Sequence, residues 1–188
     1  MALQHHKSIT LCGMMGCGKS AHGRQLAREL NMMFRDLDQL IADQYNMPVS
    51  QIFSERGEAF FRAAERDMLN DLLGLPPAVI ALGGGALQDE AQARFIRENS
   101  ILCFIDAPFD SILERVQRNT RRPMLLDENG KLKSEEEIRK ILTELDQKRR
   151  PLYESAHVHF VPPVNKRVQL SAKKLISEID AFLQRTNH

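Results

Sequence analysis

Gly13-Met14-Met15-Gly16-Cys17-Gly18-Lys19-Ser20 is the stretch from which the fold can be read, and it fills every fixed position of the pattern GxxxxGK[ST]. Ser8-Ile9-Thr10-Leu11-Cys12 before it reads as a short buried strand, and Leu26, Ala27 and Leu30 after it fall at helical spacing. Glycines in a strand–loop–helix of this kind let successive backbone N–H groups turn inward and cradle phosphate oxygens. Gly16, Cys17, Gly18, Lys19, Ser20 and Ala21 are therefore expected to wrap a polyphosphate. Lys19 would bring positive charge to its terminal phosphates, Ser20 would present a hydroxyl to Mg²⁺, and the helix would aim its positive end at the same anion. The ligand class this predicts is a nucleoside triphosphate.

Outward from the loop, strands and helices alternate. Phe34-Arg35-Asp36 begins a second strand, and Leu37, Leu40, Ile41 and Tyr45 mark the inner face of a helix that Pro48 ends. Ser50 is positioned to cap a short helix through Ser54, and a longer helix after Gly57 carries Phe61, Ala64, Met68, Leu69 and Leu72. Ala78-Val79-Ile80-Ala81-Leu82 and Ile101-Leu102-Cys103-Phe104-Ile105 are continuous apolar runs, as strands buried on both faces require, and His157–Val161 is a fifth strand. Ser134 with Glu137 forms a capping box for a helix to about Arg149. Between Asn119 and Lys133 the periodicity dissolves into Arg, Pro, Asp, Asn and Gly, which predicts an exposed, mobile segment. The pattern implies an α/β domain built on a parallel sheet covered on both faces, with ligands at the carboxyl ends of the strands.

Composition narrows the function. At 188 residues the chain suits one domain, and 26 Lys and Arg against 25 Asp and Glu leave no global field to attract nucleic acid or a membrane surface. Cys12, Cys17 and Cys103 show neither metal-ligand spacing nor an even-numbered framework, which favours a reducing, cytoplasmic setting. No apolar run approaches the roughly 20 residues of a membrane span, and residues 1–7 read as a flexible terminus.

Three further constellations carry chemistry. Asp36 and Asp38 are two residues apart, so an extended chain would turn both carboxylates to one side; alone they read as acidic charge at a helix N-terminus, but the phosphate loop upstream favours a cation and an acceptor hydroxyl. Gly83-Gly84-Gly85 follows a buried strand, where absent side chains would let a small ligand approach the backbone. Arg62 and Arg149 can each grip a carboxylate through two N–H groups, and Arg118, Arg121 and Arg122 crowd the start of the irregular segment, as a closing lid over a phosphate would need.

Together these motifs resemble the shikimate kinases. The resemblance runs through the phosphate loop, Gly23-Arg24-Gln25-Leu26-Ala27, Phe34-x-Asp36-x-Asp38, Gly57-Glu58-x-x-Phe61-Arg62-x-x-Glu65, Gly83-Gly84-Gly85, Arg122-Pro123 and Arg149-x-Pro151-Leu152-Tyr153. It implies a P-loop NTPase of the nucleoside-monophosphate-kinase-like type, with a five-stranded sheet ordered 2-3-1-4-5. It implies ATP as co-substrate, Mg²⁺ as cofactor, and transfer of the γ-phosphoryl group to the 3-hydroxyl of shikimate, on the route to chorismate and the aromatic amino acids. Lys19 would then meet the phosphates, Ser20 the metal, and Asp36 its outer shell. Asp38 would hold the acceptor hydroxyl, Arg62 and Arg149 the shikimate carboxylate, and Gly83, Gly84 and Gly85 would line its pocket. Helices over about residues 37–73 would close around shikimate, and a lid over about 119–133 would carry Arg122 to the phosphates. Arg115 would pack against adenine, with Lys166 or Arg167 on the base's other side.

Some positions depart from the family's usual pattern. Ala21 stands where Thr commonly follows the Ser, and Met124 follows Pro123 where Leu is usual. Cys17 lies within an anion-binding loop, which predicts either a nucleotide-shielded reactive thiol or an inert small filler. The competing activities are another small-molecule kinase, such as a gluconate kinase, and a non-catalytic ligand-binding relative. A monomer is expected, with no nucleic-acid or membrane partner.

Overall fold

The computed structural model describes residues 7–87, 89–118, 123–163 and 168–186. In chain order its elements are β1 Ser8–Cys12, α1 Lys19–Leu30, β2 Met33–Asp36, α2 Leu37–Tyr45, α3 Val49–Leu73, β3 Ala78–Ala81, α4 Glu90–Asn99, β4 Ser100–Ile105, α5 Phe109–Gln117, a 3-10 turn Pro123–Leu125, α6 Glu135–Glu154, β5 Val158–Phe160 and α7 Val168–Thr186. The strands form one parallel sheet ordered β2-β3-β1-β4-β5. Leu11 sits in register with Ala81 on one side and Cys103 on the other.

Apolar continuity explains the middle of this sheet. Every residue of β1, β3 and β4 is buried, so helices must cover both faces, and the polar members find partners inside. Thr10 and Ser100 share a hydroxyl hydrogen bond of 2.7 Å, and Ser8 Oγ accepts the Ala78 N–H at 3.1 Å. The order 2-3-1 has a functional consequence. It sets the carboxyl ends of three neighbouring strands side by side, and those ends carry Asp36, the Gly83–Gly85 run and the phosphate loop.

Two local expectations change. Asp38 does not extend the second strand; it lies in the first turn of α2, with Asp36 as the residue before that helix. The two carboxylates are thus brought near one another by a strand end and a helix start, not by extended alternation. The α3 span holds the two helices expected on either side of Gly57, broken there by a φ of 81° and a ψ of 167° that are not helical. It opens at Val49 behind Pro48, so Ser50 lies inside the first turn and is not the cap.

Residues 124–133 are largely exposed, as expected, and carry local order despite their lack of periodicity. Asp127 Oδ1 accepts the N–H groups of Asn129 and Lys131 at 2.9 and 2.8 Å, closing a turn through Gly130, and Leu126 bridges Leu132. Leu125 is fully buried and anchors the segment to the core. Side-chain-to-backbone bonds in a turn leave no periodic trace in sequence. The capping box is present as expected: Ser134 Oγ accepts the Glu137 N–H, and the Glu137 carboxylate accepts the Ser134 N–H.

The sheet's far edge holds a titratable link. His157 Nδ1 accepts the Leu102 N–H at 3.1 Å, its ring stacks on Phe182, and burial, with Arg97 and Lys7 nearby, lowers its pKa below 6.5. An accepting Nδ1 must be unprotonated, so the unfolded chain takes up the proton first as pH falls. The stability His157 contributes is therefore present above about pH 6.5 and is lost as pH falls through the lower folded value. In urea unfolding at about pH 7.5 and about pH 5.5, the wild type is expected to lose more stability at the acid pH than His157→Asn, whose amide oxygen can accept the same N–H without titrating.

Candidate functional site

The phosphate loop is held in shape by its carbonyls. Lys19 Nζ donates to Gly13 O and Met14 O at 2.8 and 3.1 Å, and Arg115 reaches from α5 to donate to Gly16 O and Cys17 O at 3.1 and 3.2 Å. Gly18 O accepts both the N–H and the ring Nδ1–H of His22, each at 2.9 Å. Gly18 itself has φ 102°, a left-handed value that starts α1 from outside the helix and that residues with a side chain adopt rarely. With these carbonyls tied back, the start of α1 and the loop N–H groups other than that of Cys17, which donates to Met14 O at 3.2 Å, are left for an anion.

The cavity beside the loop has a volume of about 250 Å³ and brings Gly16, Gly18, Lys19, Ser20, Ala21 and Arg115 together with Asp36, Asp38 and Gly84. Although β3 separates β1 from β2, the side chains close that gap: Ser20 Oγ donates to Asp36 Oδ2 at 2.6 Å. This hydroxyl–carboxylate pair offers the hard oxygen ligands that suit Mg²⁺. No group of three or more His, Cys, Asp or Glu suited to a metal occurs among the described residues. A cation at Ser20 and Asp36 would thus complete its shell from phosphate oxygens and water, as Mg²⁺ commonly does.

On the acceptor side, the three glycines have distinct tasks. At Gly84 the carbonyl accepts Arg149 from α6 at 2.7 Å and the Tyr153 hydroxyl at 2.8 Å, which ties the guanidinium to the glycine run. A Cβ at Gly83 would collide with the carboxylates of Asp38 and Glu65, and one at Gly85 with the guanidinium of Arg62. Gly83 and Gly85 therefore make room for the protein's own charged groups, whereas Gly84 opens on the cavity. Arg62 donates to Glu65 Oε2 at 2.8 Å and Glu58 Oε1 at 3.3 Å. It lines a neighbouring hollow of about 290 Å³ between α3 and α4 and not the cavity beside the loop.

Glu65, Tyr153 and His22 were not assigned roles by sequence reasoning. Glu65 is only 3% exposed; burial pushes its pKa up from 4.5 to about 6, against the pull of Arg62, and the Asp38 carboxylate adds to the rise. Its Oε1 is buried with no hydrogen-bond partner among the described residues. The Arg62–Glu65 spacing of three on one helix was the available signal. Burial also raises the Tyr153 hydroxyl well above its ordinary value, which keeps it a neutral donor.

The remaining expectations divide. Cys17 is fully buried, so the loop presents its backbone rather than a thiol, and the filler role fits. Arg115 touches loop carbonyls through one of its nitrogens. Arg121, Arg122, Lys166 and Arg167 lie outside the described residues.

Glu65 gives a two-sided expectation. A carboxyl with a folded pKa near 6 and an unfolded one near 4.5 keeps its proton longer in the folded state, so its contribution to stability falls as pH rises between those values. Glu65→Gln should flatten that limb in denaturant titrations. It should also release Arg62 from the ion pair that holds its guanidinium beside Gly85.

Comparisons with known proteins give the chain's family and fold. The shikimate kinase family model matches residues 15–180. A shikimate kinase of Salinibacter ruber is 42% identical over 79% of this chain and 74% of its own length. Among solved structures, a shikimate kinase of Bacteroides thetaiotaomicron superposes with a TM-score of 0.84 at 31% identity, covering 93% of this chain and 98% of the other. One from Acinetobacter baumannii, solved in complex with shikimate, gives 0.82 at 31% identity over 96% of both chains.

Proposed function

This chain belongs to the shikimate kinase family, and from that premise we propose how its residues divide the transfer of the ATP γ-phosphoryl group to the shikimate 3-hydroxyl. The observation that carries the proposal is that Asp38, the phosphate loop and the Gly84 carbonyl holding Arg149 all border one cavity.

The loop amides and Lys19 take the phosphates. Ser20 and Asp36 would hold Mg²⁺, which when bound neutralises phosphate charge and orients the transferring group. Arg149 and Arg62 hold the shikimate carboxylate, a task that suits planar guanidinium groups with paired donors. Tyr153 fixes the Gly84 carbonyl that places Arg149, and Glu65 fixes Arg62. Asp38 accepts a hydrogen bond from the 3-hydroxyl and takes its proton as the new P–O bond forms and the bond to the ADP oxygen breaks. The loose transition state asks little of a base, so aligning the hydroxyl is the larger part of Asp38's work. Arg122 would bring charge from the lid, and Arg115 its flat face to adenine, with Lys166 on the other side. An ATP-dependent biosynthetic step of this kind suits the cytoplasm, and no described helix is long and apolar enough to cross a membrane.

Incubation with Mg-ATP and shikimate, gluconate or no acceptor is expected to release ADP at speed only with shikimate. Release favoured by gluconate, or none with any acceptor, would refute the assignment. Asp38→Asn is expected to lower turnover by at least about a hundredfold while ATP affinity changes less than about twofold. Loss of ATP affinity instead would exchange the roles of the two aspartates. Arg149→Lys, which keeps the charge and loses the fork, should raise the KM for shikimate by about tenfold.

A further inference from the structure

We propose that His22 is a positioning residue of the nucleotide site, tying the phosphate loop to helix α7 through Ser171. His22 lies in the first turn of α1, two residues past Ser20, and is 5% exposed. Its ring uses both nitrogens. Nδ1 lies 2.9 Å from Gly18 O and Nε2 lies 2.8 Å from Ser171 Oγ, a residue 149 positions away on α7. A carbonyl oxygen can only accept, so Nδ1 carries the hydrogen; in the neutral ring Nε2 then accepts from the Ser171 hydroxyl. Ser171 is itself 2% exposed, and the His22 ring meets the edge of Phe160 on β5 at 5.9 Å. The link is therefore dry and fixed at three points: loop, helix and strand.

The position of the link gives it a function. Of the three loop carbonyls following Met15, two are held by Arg115 and the third, Gly18 O, by His22. Gly18 is the left-handed residue at which the loop becomes helix, and its conformation sets the direction of the N–H groups that open α1. A Cβ there would already press on the His22 ring, 3.1 Å from Nδ1, so loop and imidazole are fitted to each other. Packing alone would be served by an aliphatic side chain at this buried place. A bifunctional ring with a dedicated partner on a distant helix instead fixes where a carbonyl points.

The inference rests on the nucleotide-site reading and is separable from it. Steady-state kinetics on wild type, His22→Leu, His22→Asn and Ser171→Ala, with ADP affinity from calorimetry and thermal stability in parallel, test it. His22→Leu fills the volume and removes both bonds; the KM for ATP and the Kd for ADP are expected to rise by about three- to tenfold. The KM for shikimate should stay within about twofold and turnover at saturating ATP should fall less than the KM rises. His22→Asn can still donate to Gly18 O from the place of Nδ1 and should recover much of the affinity. Ser171→Ala should show a smaller rise of the same kind, and His22→Leu/Ser171→Ala should be no worse than His22→Leu alone, because one link is broken in each. Lowered melting temperatures with unchanged nucleotide affinity would reduce the link to plain structure and overturn the proposal. Equal losses for ATP and shikimate would do the same. If His22→Leu does not fold, Ser171→Ala decides: unchanged ADP affinity overturns the idea. A wild type inactive with ATP and shikimate would instead refute the function itself.

Discussion

Everything in this site depends on backbone carbonyls being turned away from the cavity and kept there. A loop that offers its amides to phosphate must place the matching carbonyls somewhere, and unsatisfied carbonyls at a partly buried edge would cost free energy comparable to lost hydrogen bonds. Here Lys19 takes the carbonyls of Gly13 and Met14, Arg115 those of Gly16 and Cys17, and His22 that of Gly18. The donors come from α1 and α5, so the loop's shape is set by packed helices and not by the loop alone. The fold beneath it supplies the second requirement, because the order β2-β3-β1 lines up three strand ends on which donor and acceptor groups can meet.

The acceptor half is built by crowding charges that would be costly alone. Asp38, Glu65, Arg62 and Arg149 converge on a run of glycines, and the missing Cβ atoms at Gly83 and Gly85 are what allow that approach. Glu65 is buried there with one oxygen lacking a hydrogen-bond partner among the described residues, and it keeps its proton to about pH 6. Such a raised carboxyl belongs where the protein holds cationic groups ready for an anion. Arg149 is placed by a carbonyl and Arg62 by a carboxylate. The two guanidinium groups thus differ in net field although they are assigned the same ligand.

Much of this was legible in the sequence, for definite reasons. The phosphate loop has fixed spacing, and the buried strands Ala78–Ala81 and Ser100–Ile105 are unbroken apolar runs, so both survive reading without coordinates. The capping box at Ser134 and Glu137 is local and equally plain. Asp36 and Asp38 were placed in the right neighbourhood by the wrong geometry, since two residues of strand and two at a strand–helix junction look alike in a sequence. His22 and Tyr153 stayed hidden because what matters about each is a partner far away, Ser171 and Gly84, whereas Glu65 left a local trace in its spacing of three from Arg62 and only its burial beside Asp38 was out of sight. A histidine with no regular spacing gives no hint that a serine 149 residues on will meet it. The turn through Asp127 was likewise invisible, being held by side-chain oxygens that periodicity does not register.

In the proposed reaction a phosphoryl group leaves ATP for a hydroxyl of an acceptor whose carboxylate would be held at the Gly84 edge. Phosphorus NMR of a mixture of protein, Mg-ATP and shikimate observes that transfer directly. The γ-phosphate signal is expected to be replaced by one phosphomonoester resonance coupled to the proton on carbon 3 of the shikimate ring, in step with ADP. Growth of inorganic phosphate without a phosphomonoester, or coupling to a different ring proton, would contradict it.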